Sequence, residues 1–250
     1  MKNTLRALSI DLDDTLWPIW PVIERAESAL DIFLRENCPN TAKKFPLEKM
    51  RELRVNIVDM YPGIEHDFTK QRKLSLLHAL RESGDAEHHA EAAFEIFYAA
   101  RNDIEFYPDA LAALKRLTAR YPVAALTNGN ADLQRIGIAD HFVHFVAARN
   151  EGHAKPDAPI FHATVNRLGV DAHEVLHIGD DPLLDVVGAQ RAGLRSCWIN
   201  RRDESWPEMY PVPDLQFTSL TDLADYLEHV EHVPFEMEIP SGKANFIEAQ

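Results

Sequence analysis

Three acids crowd the end of an apolar run in LSIDLDDTLW, residues 8–17: Asp11, Asp13 and Asp14. More acids follow the apolar run VLHI, as Gly179-Asp180-Asp181, with Asp185 about one helical turn further on. Between these clusters, Thr127-Asn128-Gly129-Asn130 follows VAAL, and Lys155-Pro156 lies in a loop after HFVAA. Such a set suits phosphoryl transfer through a magnesium ion. Mg2+ prefers hard oxygen ligands and is commonly held by one or two carboxylates together with substrate phosphate and water. Asp11 and Asp180 supply carboxylates, and a divalent cation among them removes most of their repulsion. A carboxylate can also attack phosphorus. Asp13, two residues beyond Asp11, points to the same side and can serve as acid and then base. Thr127 and nearby backbone N–H groups can hold phosphoryl oxygens, and Lys155 can neutralise charge that the metal does not reach.

These groups meet only if the strands before them line up. Ala7-Leu8-Ser9-Ile10 fits a short buried strand. Beyond Tyr107-Pro108, helical stretches alternate with the strand-like runs VAALT, HFVAA, EVLHIG, RSCWIN and DLQF. Alternation with short loops implies a parallel sheet covered on both faces. In open sheets of this kind, ligands bind at the carboxyl ends of the strands. The stretch between differs, because apolar residues recur there at three- and four-residue spacing, as in Leu74, Leu77 and Leu80. It predicts about four helices and no strand, with breaks at Asn40-Thr41, Tyr61-Pro62-Gly63 and Ser83-Gly84-Asp85. The expected fold is α/β: a doubly wound, Rossmann-like parallel-sheet core over residues 1–16 and 107–230, with an inserted all-helical domain over 17–106. The tail, 231–250, has no clear period and is left as either loose chain or an extended arm.

Composition narrows the function. A chain of 250 residues, 46% hydrophobic and 26% charged, has room for one large domain with an insertion. No apolar run approaches the roughly 18 residues of a membrane span, so no membrane partner is expected. The net charge of −14 argues against nucleic acid. A small anionic substrate remains compatible with it, provided that a local cation overcomes the general field. The N-terminal sequence has no secretory pattern, and Cys38 and Cys197 are far apart, which reads as two reduced thiols in a cytoplasmic protein. Both a monomer and a homodimer remain open.

The four motifs, in order, resemble those of the haloacid dehalogenase superfamily of phosphohydrolases: DLDDT, Thr127-Asn128, Lys155-Pro156 and GDDPLLD. The resemblance covers about residues 6 to 200. It implies that Asp11 forms an aspartyl-phosphate and binds Mg2+ through its other oxygen. It gives Asp13 the proton transfers and a metal contact through its backbone carbonyl, and makes Asp180 a direct metal ligand. Asp185 then acts from behind, through water or by orienting Lys155. The helical insertion takes the place of the superfamily's cap, which covers the pocket and chooses substrates. The superfamily's metal-independent dehalogenases lack this set of acids, which favours phosphate over halide. A phosphomutase of the same architecture and a non-enzymatic binding module are the alternatives. The stretches IDLDDTLW, TNGNAD, GHAKPD and EHDFTKQRK are also similar to bacterial phosphatases acting on FMN and on the phosphoribitylamino-uracil precursor of riboflavin.

Other residues carry two readings each. Trp17 and Trp20, at the junction of core and insertion, either stack on a flat substrate or pack a hinge; Trp17 is taken as substrate-binding. Arg72 or Lys73 reaches substrate, with Asp67 or Thr69 as the helix cap before them; Arg72 is the choice. Asn128, Gly129 and Asn130 are assigned to the pocket. Asp14 is expected to cap local N–H groups, Asp181 to cap the helix after it, and Gly188 to allow close helix–sheet approach. Thr15 either steadies the first loop or touches Asp180.

Overall fold

The structure, a computed structural model, describes residues 5–229, so the tail at 231–250 lies outside the described residues. Six parallel strands form one sheet in the order β3-β2-β1-β4-β5-β6. They are β1 (Ala7–Ile10), β2 (Val123–Thr127), β3 (His144–Ala147), β4 (Val175–Gly179), β5 (Arg195–Ile199) and β6 (Leu215–Phe217). Strand β1 lies between β2 and β4, so the winding reverses there and opens a crevice at the carboxyl ends.

The central strands are buried on both faces. Leu8 and Ile10 of β1 pack with Val123, Ala125 and two helices, α6 (Ala110–Thr118) and α11 (Leu220–His229). Ala7 of β1 faces the other way, with Ala124, Leu126 and Val146, onto α9 (Ala158–Leu168). Each large apolar side chain buried this way contributes about 1.5–3 kcal/mol before chain entropy is subtracted. Ser9 is the polar exception in β1, and its register partner in β4 is His177, also polar. Three short helices complete the described core: α7 (Leu133–Ile136), α8 (Ala148–Glu151) and α10 (Gly188–Arg191). Asp181 caps the turn before α10, accepting from the Leu183 and Leu184 N–H groups as expected. That turn, Pro182–Val187, is wider than an α-helix, and Val186 N–H reaches back to the Asp181 carbonyl.

Between β1 and α6 the named elements are all helices: α1 (Ile19–Asn37), α2 (Pro39–Lys44), α3 (Leu47–Met60), α4 (Phe68–Ser83) and α5 (His89–Arg101). These helices share their own apolar cluster, built around Leu30, Leu34, Leu53, Leu76, Phe94 and Phe97. The sequence predicted four helices with a break at Asn40-Thr41; a fifth, α2, occupies the break. Pro39 suits its first turn. Asp85 holds it by accepting from the Thr41 N–H and hydroxyl and from the Asn40 amide, a partner about 45 residues away that local sequence cannot reveal. Asp67 caps α4 by accepting from Lys70 N–H.

Two chain crossings join the insertion to the core, and Tyr107 N–H of the return crossing donates to the Leu16 carbonyl of the outgoing one at 2.9 Å. Gly188 does allow a close approach, but to α9 and its leading loop and not to the sheet as expected: a Cβ there would lie 2.8 Å from the Phe161 ring and 3.0 Å from Pro156 Cα. Gly188→Val is expected to cost about 1–3 kcal/mol through overpacking. In a chain of this size each kcal/mol lowers Tm by about 2–4 °C. An unchanged thermal melt would show that the helix can move away from Phe161 and Pro156 freely.

Candidate active site

The strand ends bring the predicted groups together around one buried ammonium. Lys155 Nζ donates to Asp11 Oδ1 and to Asp185 Oδ1, each at 2.6 Å. Asn128 fixes the Lys155 backbone from both sides: its Nδ2 donates to the carbonyl and its Oδ1 accepts from the N–H. Asn128 borders the cavity, but this amide pairing steadies Lys155, a different job from the substrate contact expected of it. Asp185 is supported from behind. His177 Nε2 meets its Oδ1 at 3.0 Å, and Asp181 N–H donates to its Oδ2. His177 Nδ1 in turn lies 2.9 Å from Ser9 Oγ. Burial lowers the basicity of His177, so it is neutral at ordinary pH, donating to Asp185 and accepting from Ser9.

Electrostatics sort these acids into two kinds. Burial works against the Asp185 carboxylate, but Lys155 and the His177 hydrogen bond overcome it and hold Asp185 well below the usual carboxylate range. Burial likewise opposes the Lys155 charge, and the two carboxylates more than restore it. Asp11 goes the other way. Burial pushes it up to about 8, with Lys155 only partly offsetting. Burial, with Asp185 and Asp11 as like-charged neighbours, pushes Asp180 up to about 9. One oxygen each of Asp11, Asp180 and Asp185 lies within 4.8 Å of the others. Both oxygens of Asp185 already accept hydrogen bonds, whereas Oδ2 of Asp11 and Oδ2 of Asp180 accept none among the described residues. Asp11 therefore shares its one cationic partner, Lys155, with Asp185, and Asp180 has no ion pair among the described residues; both keep a free hard oxygen, which fits a divalent cation such as Mg2+. Thr15 Oγ1 reaches Asp180 Oδ1 at 3.4 Å.

The Asp13 carboxylate stands apart from that cluster. Its Oδ1 accepts from Trp17 Nε1 at 2.9 Å and from Arg101 Nη2 at 2.7 Å, and its Oδ2 accepts from Arg101 at 2.8 Å. Trp17 corrects the expectation that it stacks on substrate. It is fully buried in the core of the sheet, edge-on to Phe106, and does not line the cavity. Its indole aims Asp13. Trp20, 65% exposed, lines the cavity in its place. Gly129 is needed beside Asp13, because a Cβ at that position would collide with the carboxylate. Thr127 Oγ1 accepts from Gly129 N–H, which shapes this loop. Asp14 caps Ile19 N–H and takes a left-handed φ of 58° in the tight turn of the outgoing crossing.

Above these groups lies a cavity of about 380 Å3 walled by core and insertion together. Gly129 and Asn130 border it from the core, and Asn130 Nδ2 reaches Thr69 Oγ1 of α4 at 3.4 Å. Arg72 lines it; Lys73 does not, and pairs with Glu91 instead. Sequence reasoning passed over Arg101, Arg54, His177 and Ser9. Arg101 ends α5, where the chain turns back to the core, and the rule that singled out Trp17 at the outgoing crossing would have found it at the return.

Comparison with known proteins agrees with this geometry. Residues 5–193 match the sequence profile of the haloacid dehalogenase-like hydrolases. The chain is 33% identical over 227 residues to the 5-amino-6-(5-phospho-D-ribitylamino)uracil phosphatase of Escherichia coli, covering 88% of this chain and 94% of that one. It is 32% identical to a glyceraldehyde 3-phosphate phosphatase of Methanopyrus kandleri, over 85% of this chain and 92% of that one. A crystal structure described as a 2-haloacid dehalogenase from Pseudomonas syringae superimposes with a TM-score of 0.84 at 34% identity, covering 90% of this chain and 98% of that one. The profile runs from the first strand to the turn before the fifth, across every group that meets Lys155, and the chain belongs to the haloacid dehalogenase-like hydrolase family.

Proposed function

We propose that this hydrolase is a Mg2+-dependent phosphatase that cleaves a small-molecule phosphate monoester through an aspartyl-phosphate. Asp11 attacks phosphorus, and the bond to the leaving oxygen breaks as Asp13 gives that oxygen a proton. Asp13 then takes a proton from water, which attacks the aspartyl-phosphate and returns Asp11 as a carboxylate with inorganic phosphate released. Lys155 and the Thr127–Gly129 loop hold phosphoryl oxygens, and the helical insertion acts as a lid that keeps bulk water out. Asp11, Asp180 and the Asp13 carbonyl would hold Mg2+, which supplies positive charge to the phosphoryl group. The observation that carries the reading is Asp13: a second acid, aimed by Trp17 and Arg101 beside Gly129. A phosphate ester needs it for the leaving oxygen, whereas a departing halide needs no proton; this favours phosphate although several of the similar proteins and structures are described as dehalogenases. The name of the Escherichia coli relative supports a phosphoribitylamino-uracil as the substrate; FMN is kept as a second candidate from the motif resemblance alone.

Asp11→Asn is expected to abolish release of phosphate from an aryl phosphate while leaving the thermal melt cooperative. Asp13→Asn is expected to lose about 10²–10⁴-fold. Undiminished turnover in Asp11→Asn would remove the covalent mechanism, and stoichiometric phosphate release separates hydrolysis from a mutase.

Metal linkage gives a second test. Asp11 and Asp180 have folded-state pKa values of about 8 and about 9, above those of unfolded carboxylates. At these two carboxyls the metal-free fold holds more protons than the unfolded chain between about pH 4 and 9, so their contribution to stability falls as pH rises through that window. Mg2+ replaces those protons and restores the stability. The Tm gain on adding Mg2+ to EDTA-treated protein is therefore expected to be larger at about pH 8 than at about pH 5.5. An equal gain at both would place the cation elsewhere.

A further inference from the structure

The cavity has two chemically different walls. The core supplies Asp11, Asp180 and Lys155 to its lining; the helical insertion supplies Arg72. Arg72 is 6% exposed, and its guanidinium lies flat against Phe97, with Cζ 3.6 Å from the ring centroid. That guanidinium makes no hydrogen bond among the described residues. The carboxylate nearest it, Glu27 Oε1, is 3.8 Å from Nη2.

The reason is competition for one acid. Glu27 is 2% exposed and faces three guanidinium groups. Arg51 takes its Oε2 through Nε at 2.7 Å and Nη2 at 2.6 Å, and Arg54 leans on Oε1 at 3.4 Å. The Arg51 and Arg54 side chains are 42% and 30% exposed and so reach solvent, Arg54 also bordering the cavity; Arg72 has no outlet except the cavity. Burial and the neighbouring Arg54 pull its pKa down to about 9, the mark of a cation short of acceptors. A buried guanidinium with idle N–H donors is costly unless something supplies acceptors.

What would supply them is shaped by the walls. Trp20 and Phe68, 65% and 47% exposed, border the same space, with Ile23 beside them. These are flat apolar faces, and the guanidinium fork at their end matches oxygen or nitrogen acceptors along one edge of a planar group. We propose that Arg72 is the specificity determinant of this cavity, docking the carbonyl-bearing edge of a planar ring in the leaving group while the phosphate sits at Asp11. This rests on the phosphatase reading and extends it from the reacting end to the far end of the substrate.

The test measures kcat/KM for four esters: FMN and uridine 5′-phosphate, which carry carbonyl-edged rings; phenyl phosphate, flat with no acceptors; and phosphoglycolate, a carboxylate with no ring. Wild type is compared with Arg72→Met and Arg72→Lys. Phosphate release by wild type from any of the four tests the hydrolase reading by itself. For the proposal, wild type should prefer at least one carbonyl-edged ring over phenyl phosphate by about tenfold or more, the scale of a charge-assisted hydrogen bond. Arg72→Met should erase that ratio. Arg72→Lys, which keeps the charge but loses the fork, should not restore it, and it serves if the Met variant fails to fold. A wild type with no such preference, equal losses on every ester, full rescue by Lys, or an Arg72-dependent preference for phosphoglycolate would each overturn the proposal.

Discussion

The Lys155 ammonium is buried between the Asp11 carboxylate at the end of β1 and the Asp185 carboxylate in the turn that follows β4, and that placement constrains nearly every group around it. A charge in this position survives only with partners in good geometry; removing one partner of such a set leaves a buried charge exposed to a penalty of about 3–5 kcal/mol. The fold meets the demand from several directions. Asn128 fixes the Lys155 backbone, while His177 and Ser9, register partners on β4 and β1, fix Asp185 from inside the sheet. The polar pair in an otherwise apolar sheet thus has a purpose visible only from the site. One ammonium answers Asp185 fully and Asp11 in part, and it leaves Asp180 unanswered. The remaining negative charge is what suits the place to a cation and a phosphoryl group.

Asp13 obeys a different constraint. Its neighbours are Trp17 and Arg101, which stand where the chain leaves the core and where it comes back. The return crossing is hydrogen-bonded to the outgoing one through Tyr107 and Leu16. The side chain assigned to proton transfer is therefore braced by both connections to the helical insertion, and the nucleophile is braced by the sheet. The two acids sit two residues apart in sequence and are held by separate parts of the fold.

The succession of strands and helices along the chain, the motif after each strand and the helical character of the insertion were legible because each rests on local pattern: apolar runs, alternation, and acids or Lys following a strand. Asp181, Asp67 and Asp14 were legible as caps for the same reason. Trp17 was misassigned because an aromatic at a junction has the same sequence signature whether its face meets a ligand or its N–H meets a carboxylate. Glu27 left no trace, since its partners lie 24–27 residues away, and Arg101 showed only its place before the return crossing, its partner Asp13 lying 88 residues off. The short helix α2 escaped for a like reason, being tied down by Asp85 from across the insertion.

The position of Arg101 also bears on how this protein can be taken apart. By packing, Trp17 belongs to the sheet, and by chain order Arg101 closes the last helix of the insertion. A chimera spliced at residues 17 and 106 would exchange both with the foreign insertion and strip Asp13 of every side-chain donor it has here. The seam between exchangeable modules runs inside the boundary that secondary structure draws, with Trp17 and the final turn of α5 retained by the recipient core. Modularity in this architecture is limited by a hydrogen-bonded carboxylate, and no count of helices and strands would locate the cut.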